Sequence, residues 1–298
     1  MKEKIKLTAA ILLLLILIPY MITLFFNGAS IHLFQDKDDI SVREEQVLYL
    51  LSEEISGQSQ LEALKAQAVI ARTQLYLDPD MEITGNETNL LENMDHLTFA
   101  VEDTQGEIVT YQDQPIDPAY HAVSGKMTRN SSEVAGQEDK LYLQSVESLY
   151  DISSDEYLVI VYMEKSELAE KIQELIQQTP SAEMSDASEE TTPDITVVPE
   201  TILTDLVIEQ RDSAEYVTKV RYQEVILNGE ALADALELPS SLFYLTELEG
   251  KVRVMTKGLG HGLGLSQYGA NAMAAEGKNY QEILKYYYQG VEIQSSNR

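Results

Sequence analysis

Runs of apolar and polar positions divide this chain into elements before any single residue is considered. Residues 7–26 carry no charge over the length needed to cross a bilayer core, and Lys2, Lys4 and Lys6 precede them. This predicts one transmembrane helix, with residues 1–6 cytoplasmic and the remainder outside. The competing reading is a cleaved signal peptide, for which only Asn27-Gly28-Ala29 offers a weak cleavage site. A polar spacer, 27–40, follows. Ser41 with Glu44 then predicts a capped helix reaching about Ile55, whose wheel gathers Val47, Leu48, Leu50, Leu51 and Ile55 on one arc. Glu54 falls inside that arc. Ser59 with Glu62 predicts a second capped helix, Leu61 to Leu77, apolar nearly all round and rich in alanine, as in an element packed by close neighbours.

From 80 to 105 the pattern is weak and polar. Alternation then predicts strands at Glu107–Gln112, Leu141–Val146 and Tyr157–Met163, an amphipathic helix near 165–177, and a long loop over 115–136. Residues 178–196 are rich in Ser, Thr and acidic side chains and read as a linker or surface insertion. Strands are expected again at Ile202–Glu209, Tyr216–Tyr222, Leu242–Leu248 and Lys251–Met255, with a short helix at Glu230–Leu236. Gly258, Gly260, Gly262 and Gly264 stand at alternate positions, a loop built for close approach of backbone. A helix closed by Gly277 follows, then a last helix capped by Asn279 and Glu282. The fold class expected is α+β: a single mixed domain, 41–298, after the anchor.

Composition narrows the function. Fifty acidic and 21 basic residues give a net charge of −29, which argues against nucleic acid as a partner. The absence of cysteine excludes disulfides and thiolate chemistry. Two histidines, His121 and His261, are too few for a zinc centre, and the glycine loop breaks both phosphate-cradle spacings, so neither a metal nor another cofactor is expected.

Several residues carry candidate chemistry. Glu54 sits in the last turn of its helix and on the apolar arc; the helix dipole and desolvation both raise its pKa and suit it to proton donation. The alternative is a structural ion pair with Arg72. Lys65 and Arg72 share the most apolar side of the second helix, where they would form an anion pocket or pair structurally. His261 would serve as ligand, acid or orienter. Ser124 and Ser266 lack the surroundings of a serine nucleophile, which leaves capping and hydrogen-bonding roles; Gln267 adds an amide at the start of the following helix.

Taken together, four segments resemble the stage II sporulation protein D family of peptidoglycan lytic transglycosylases, whose domain also occurs in amidase enhancers. They are Glu53-Glu54-Ile55 with 61–73, the 121–128 loop, 142–146, and 260–270 through 287–291. The resemblance covers about residues 42–295. It implies that Glu54 is the catalytic acid, that Lys65 and Arg72 are the motif cations, and that Ser124, His261, Ser266 and Gln267 line the groove for the glycan. It also implies a membrane-anchored enzyme of engulfment, acting on peptidoglycan strands freed of stem peptides, with a peptidoglycan amidase and a further membrane protein as partners. A non-catalytic, glycan-binding amidase enhancer is the alternative; a hydrolase using Asp151 as second carboxylate is a third reading. The chain departs from the family at Gly125-Lys126, where Gly-Gly is usual, and at Ala135, where an aromatic is usual.

Overall fold

The all-round apolar pattern of the second helix has a direct structural cause: it lies between two cores. In this computed structural model, which describes residues 40–178 and 195–296, α1 spans Ile40–Glu54 and α2 spans Leu61–Leu77. One side of α2, with Leu64, Ala68, Ala71 and Leu75, packs against Val47, Leu51 and Ile55 of α1 and against a third helix, α3 (Glu87–Asp103). The other side, with Ala63, Ala66, Val69 and Ile70, enters a core shared with Tyr142, Leu143, Leu265, Ile283 and Tyr287. Alanines let neighbours approach on both sides, so few polar positions remain. Truncating a side chain as enclosed as Leu64, which has no exposed surface, costs about 2–5 kcal/mol.

α3 lies in the stretch whose pattern is weak. Asn86 caps it by accepting from the Asn89 amide, and Asn93 breaks its dihedrals at φ −127°. Only Leu90, Leu97, Ala100 and Val101 are buried along it. The kink and these few contacts leave no continuous apolar stripe for a periodicity reading to find.

Three strands follow: β1 (Glu107–Tyr111), β2 (Gln114–Pro115) and β3 (Tyr120–His121). The expected strand at 141–146 is irregular instead. Tyr142 and Leu143 are buried, but backbone in this stretch bonds the loop, with the Ser131 amide donating to Leu143 O and Thr128 to Val146 O.

A second body gathers from β4 (Leu158–Met163), α4 (Lys165–Gln178), α5 (Ile202–Asp205), β5 (Leu206–Arg211), β6 (Val217–Tyr222), β7 (Val225–Asn228), α6 (Gly229–Ala235), β8 (Phe243–Leu248) and β9 (Lys251–Lys257). Its sheets run β4-β9-β8 and β5-β6-β7, all antiparallel, and enclose their own core around Leu168, Ile172, Val220, Leu232, Phe243 and Val254. Ile202–Asp205 is helical where a strand is expected, and β7 is an additional strand.

The chain then returns to the first body through the glycine loop, β10 (Leu265–Ser266), α7 (Gln267–Ala275), α8 (Tyr280–Tyr287) and β11 (Glu292–Ser295). β11 pairs with β1, and β10 pairs parallel with β3, aligning Leu265 with Tyr120 and Ser266 with His121. All four loop glycines have positive φ, between +69° and +104°. At Gly264 a Cβ would meet Ala119 O at 1.9 Å, so this crossing of two backbones requires glycine. The Asn279–Glu282 capping box forms as expected. The one at Ser59–Glu62 does not: Glu62 instead binds Lys65 and the Tyr280 amide.

The apolar segment 7–26, the spacer up to residue 39 and most of the acidic stretch lie outside the described residues. Among the described residues no helix is long and apolar enough to cross a membrane.

Candidate functional site

Glu54 is the last residue of α1, and its neighbours arrive from three other elements. Gln67 of α2 donates through Nε2 to Glu54 Oε2 at 2.8 Å, and the Tyr120 hydroxyl on β3 faces the same carboxylate. Gln267, at the start of α7, donates to the Glu54 backbone carbonyl at 2.8 Å and so fixes the end of the helix. Burial raises the Glu54 pKa to about 7, against the opposing pull of the donors Gln67 and Tyr120. The carboxyl therefore exchanges its proton near neutrality. Burial and the facing carboxylate together hold the Tyr120 phenol above its usual range, so it remains a hydroxyl donor.

Beside this group lies an open cleft of about 480 Å³. Glu53, Glu54 and Glu92 line it with the amides Asn86, Asn89 and Asn93. Asn89 is already committed, donating to Ser52 O and Ile55 O and accepting from the Gly57 amide. A wall of amides and carboxylates suits hydroxyl and acetamido groups, the functional groups of amino sugars.

The glycine loop meets this site through Tyr120. His261 is exposed; its Nδ1 accepts from the Leu263 amide at 3.0 Å, and its ring also bonds the Tyr120 backbone. Nδ1 is thus engaged, and the exposed ring offers a surface to contact. Desolvation and the Arg129 guanidinium lower its pKa. His121, 5.8 Å away between ring centroids, is buried. Its Nδ1 bonds Leu263 O at 3.0 Å and its Nε2 bonds Ser124 Oγ at 2.6 Å, and burial pushes its pKa down to about 3. The imidazole is neutral: Nδ1 donates to the carbonyl and Ser124 donates to Nε2.

The remaining sequence candidates lie elsewhere. Arg72 is held bidentately by Glu44, with Nε and Nη2 at 2.8 and 2.7 Å from its two oxygens, and also donates to Glu107 O and Val101 O. Its partner is Glu44 rather than Glu54, and the pair ties α1 to α3 and β1. Lys65 lies 2.7 Å from both Glu62 and Asp103, beneath Phe99 and Tyr280. The anion pocket expected from these two cations does not form beside Glu54, because carboxylates within the fold neutralise both. Ser124 and Ser266 have no exposed surface. Ser266 caps α7 by accepting from the Gly269 amide and donates to Asp151 at 2.6 Å. Neither serine lines the cleft beside Glu54, so the substrate-lining role expected of them is not met there. Asp151 is itself sealed from solvent, so it cannot stand across a bound sugar from Glu54. Gln67 and Tyr120, which the wheel and the loop composition did not single out, complete the environment of the acid.

Lys126 occupies one of the two positions at which the chain departs from the family pattern. It has a φ of +126°, a conformation that glycine adopts freely and a side chain resists.

Fold and site define a mixed α/β protein with a shielded carboxyl beside a polar cleft; no residue of the glycine loop lines that cleft. The model of the stage II sporulation protein (SpoIID) family matches residues 41–111, a stretch that includes α1, α2 and Glu54. It is 29% identical over 280 residues to stage II sporulation protein D of Bacillus amyloliquefaciens, covering 85% of this chain and 74% of that protein. The protein of the same name from Bacillus subtilis (strain 168) is likewise 29% identical, over 284 residues, covering 85% and 75%. The amidase enhancer of Bacillus subtilis is 26% identical over 295 residues, covering 83% of this chain and 40% of that protein.

Proposed function

We propose that this protein is a peptidoglycan lytic transglycosylase, with Glu54 as its single acid and base. Similarity to the stage II sporulation protein D relatives supports a role in the cell wall processing of sporulation; the particular reaction is our reading. The observation that carries it is the Glu54 carboxyl, raised to about 7 and oriented by Gln67 and Tyr120 at the edge of a polar cleft.

Protonated Glu54 donates to the oxygen joining N-acetylmuramic acid to N-acetylglucosamine as the bond from the anomeric carbon to that oxygen breaks. The resulting carboxylate accepts the proton of the muramoyl 6-hydroxyl, whose oxygen attacks the anomeric carbon and closes a 1,6-anhydro ring. Glu54 ends the cycle protonated. A group with its pKa near 7 serves both half-steps. The sugar supplies the nucleophile, so a second carboxylate is not required. The protein would act at the outer face of the membrane through an N-terminal anchor, alongside a peptidoglycan amidase and another membrane protein.

Mass spectrometry of purified sacculi digested by wild type and by Glu54→Gln tests this. Anhydro-muramoyl ends are expected from the wild type alone, and their persistence with Glu54→Gln would remove Glu54 from the chemistry. Reducing ends would indicate a hydrolase, for which Glu92 in the same cleft becomes the second carboxylate. A wild type that releases neither, but stimulates an added amidase, would be a glycan-binding enhancer.

A further inference from the structure

Two glutamine side chains and the end of α1 close a ring of hydrogen bonds around Glu54. Gln267 Nε2 donates to the Glu54 backbone carbonyl at 2.8 Å and to Gln67 Oε1 at 3.4 Å. Gln67 Nε2 in turn donates to Glu54 Oε2 at 2.8 Å. Gln67 is 1% exposed, and these two bonds are the only ones its side chain makes among the described residues.

The ring has a direction. A backbone carbonyl can only accept, so it turns the NH2 group of Gln267 toward the end of α1. The second hydrogen of that group then meets Gln67 Oε1; with the Gln67 amide turned over, two NH2 groups would oppose each other. The NH2 group of Gln67 is thereby left facing Glu54. It only donates, so a proton on Oε2 would find no acceptor there and would oppose the Gln67 hydrogens.

Tyr120 of β3, the titratable group that faces the carboxyl from the other side of the site, differs in kind: a hydroxyl rotates to donate or accept and so serves both protonation states. Glu53 of α1 and Glu92 of α3 line the cleft nearby, while Lys65 and Arg72 of α2 are held by other carboxylates. Gln267 does not line that cleft, so its reach toward Glu54 is made inside the fold.

We propose that Gln267 is a positioning residue for the acid: acting through Gln67, it keeps the exchangeable proton of Glu54 off Oε2 and on Oε1, so that one oxygen both gives and receives it. The helix end that carries the acid thus selects which of its oxygens is protonated. As a role in catalysis this rests on Glu54 being the acid of the proposed reaction; the position of the proton itself is a property of the free protein. In Gln267→Met nothing fixes the Gln67 amide, whose oxygen turns to accept from the neutral acid, and a bond to the neutral form raises a carboxyl pKa.

Carbon-13 NMR titration of the full-length chain in detergent, labelled at its glutamate carboxyls, tests the proposal. The Glu54 signal is the one missing from Glu54→Gln. Gln267→Met should raise the Glu54 pKa by about one unit, the scale of a single hydrogen bond at a charged group. In a Gln67→Met background the same substitution should leave the pKa where it is, because Gln267 then has no amide to act through. A pKa that does not rise with Gln67 present, or that rises equally with and without it, overturns the proposal. A substitution that merely loosened the end of α1 would give that equal rise. Anhydro ends are measured in parallel with the wild type: their absence would remove the catalytic reading, and the titration decides the position of the proton in either case.

Discussion

The Glu54 carboxyl is a local compromise whose sign can be measured. Its folded pKa of about 7 exceeds the ordinary value of 4.5, so the folded state favours the proton and loses stability as pH rises. The contribution is fully present below about 4.5 and gone above about 7, a difference of up to about 3 kcal/mol. Gln mimics the neutral acid, so Glu54→Gln should raise the melting temperature strongly at pH 8 and only slightly at pH 5; an equal rise at both would mean that no raised carboxyl is present. The same group sets the alkaline limb of the cleavage rate, because donation requires the protonated form. Gln67 donates to the carboxylate and holds its pKa down, so Gln67→Met should move that limb to higher pH while the product stays anhydro. A limb that stays in place would show that Gln67 does not tune the acid. At Lys126 the positive φ stores strain, and Lys126→Gly is expected to stabilise the fold by about 1 kcal/mol in urea titration.

Among the elements, α2 is central because each of its faces has a different task. Two faces pack, and Gln67 reaches the acid. Arg72 secures it to α1, α3 and β1 through Glu44. Removing one partner of such a pair strands a buried charge at a cost of about 3–5 kcal/mol. Arg72→Met should therefore lower stability by that order in denaturant titration, while the folded fraction keeps its rate per active molecule. Full stability with lost activity would instead place Arg72 in the chemistry. The glycine loop is an element of the opposite kind, defined by backbone rather than side chains. Gly264→Ala should destabilise the pairing of β10 with β3, since the added carbon meets the Ala119 carbonyl, and Tyr120 would shift with it.

Across the whole molecule, two bodies meet at the glycine loop, with Arg129 joining the loop to Asp212 and Glu230 of the second body. Sequence pattern carries a long way here. The arc of α1 places Glu54 correctly at a partly shielded helix end, because helical periodicity and the dipole act within one element. The alternation of β9 is legible for the same reason, and the four glycines announce a backbone crossing. Pattern is silent where burial is sparse or kinked, as in α3, and misleading at 141–146, where buried side chains sit on backbone that bonds a loop. It also cannot choose charge partners between helices: Glu54 is the expected partner of Arg72, whereas Arg72 found Glu44, and Lys65 found Asp103 as well as Glu62 on its own helix. The sequence by itself determined the helices α1 and α2, which loop must be glycine and which carboxyl is unusual. Only the tertiary structure decided what surrounds that carboxyl, because Gln67, Tyr120 and Gln267 come from three separate elements and burial is a property of their packing together.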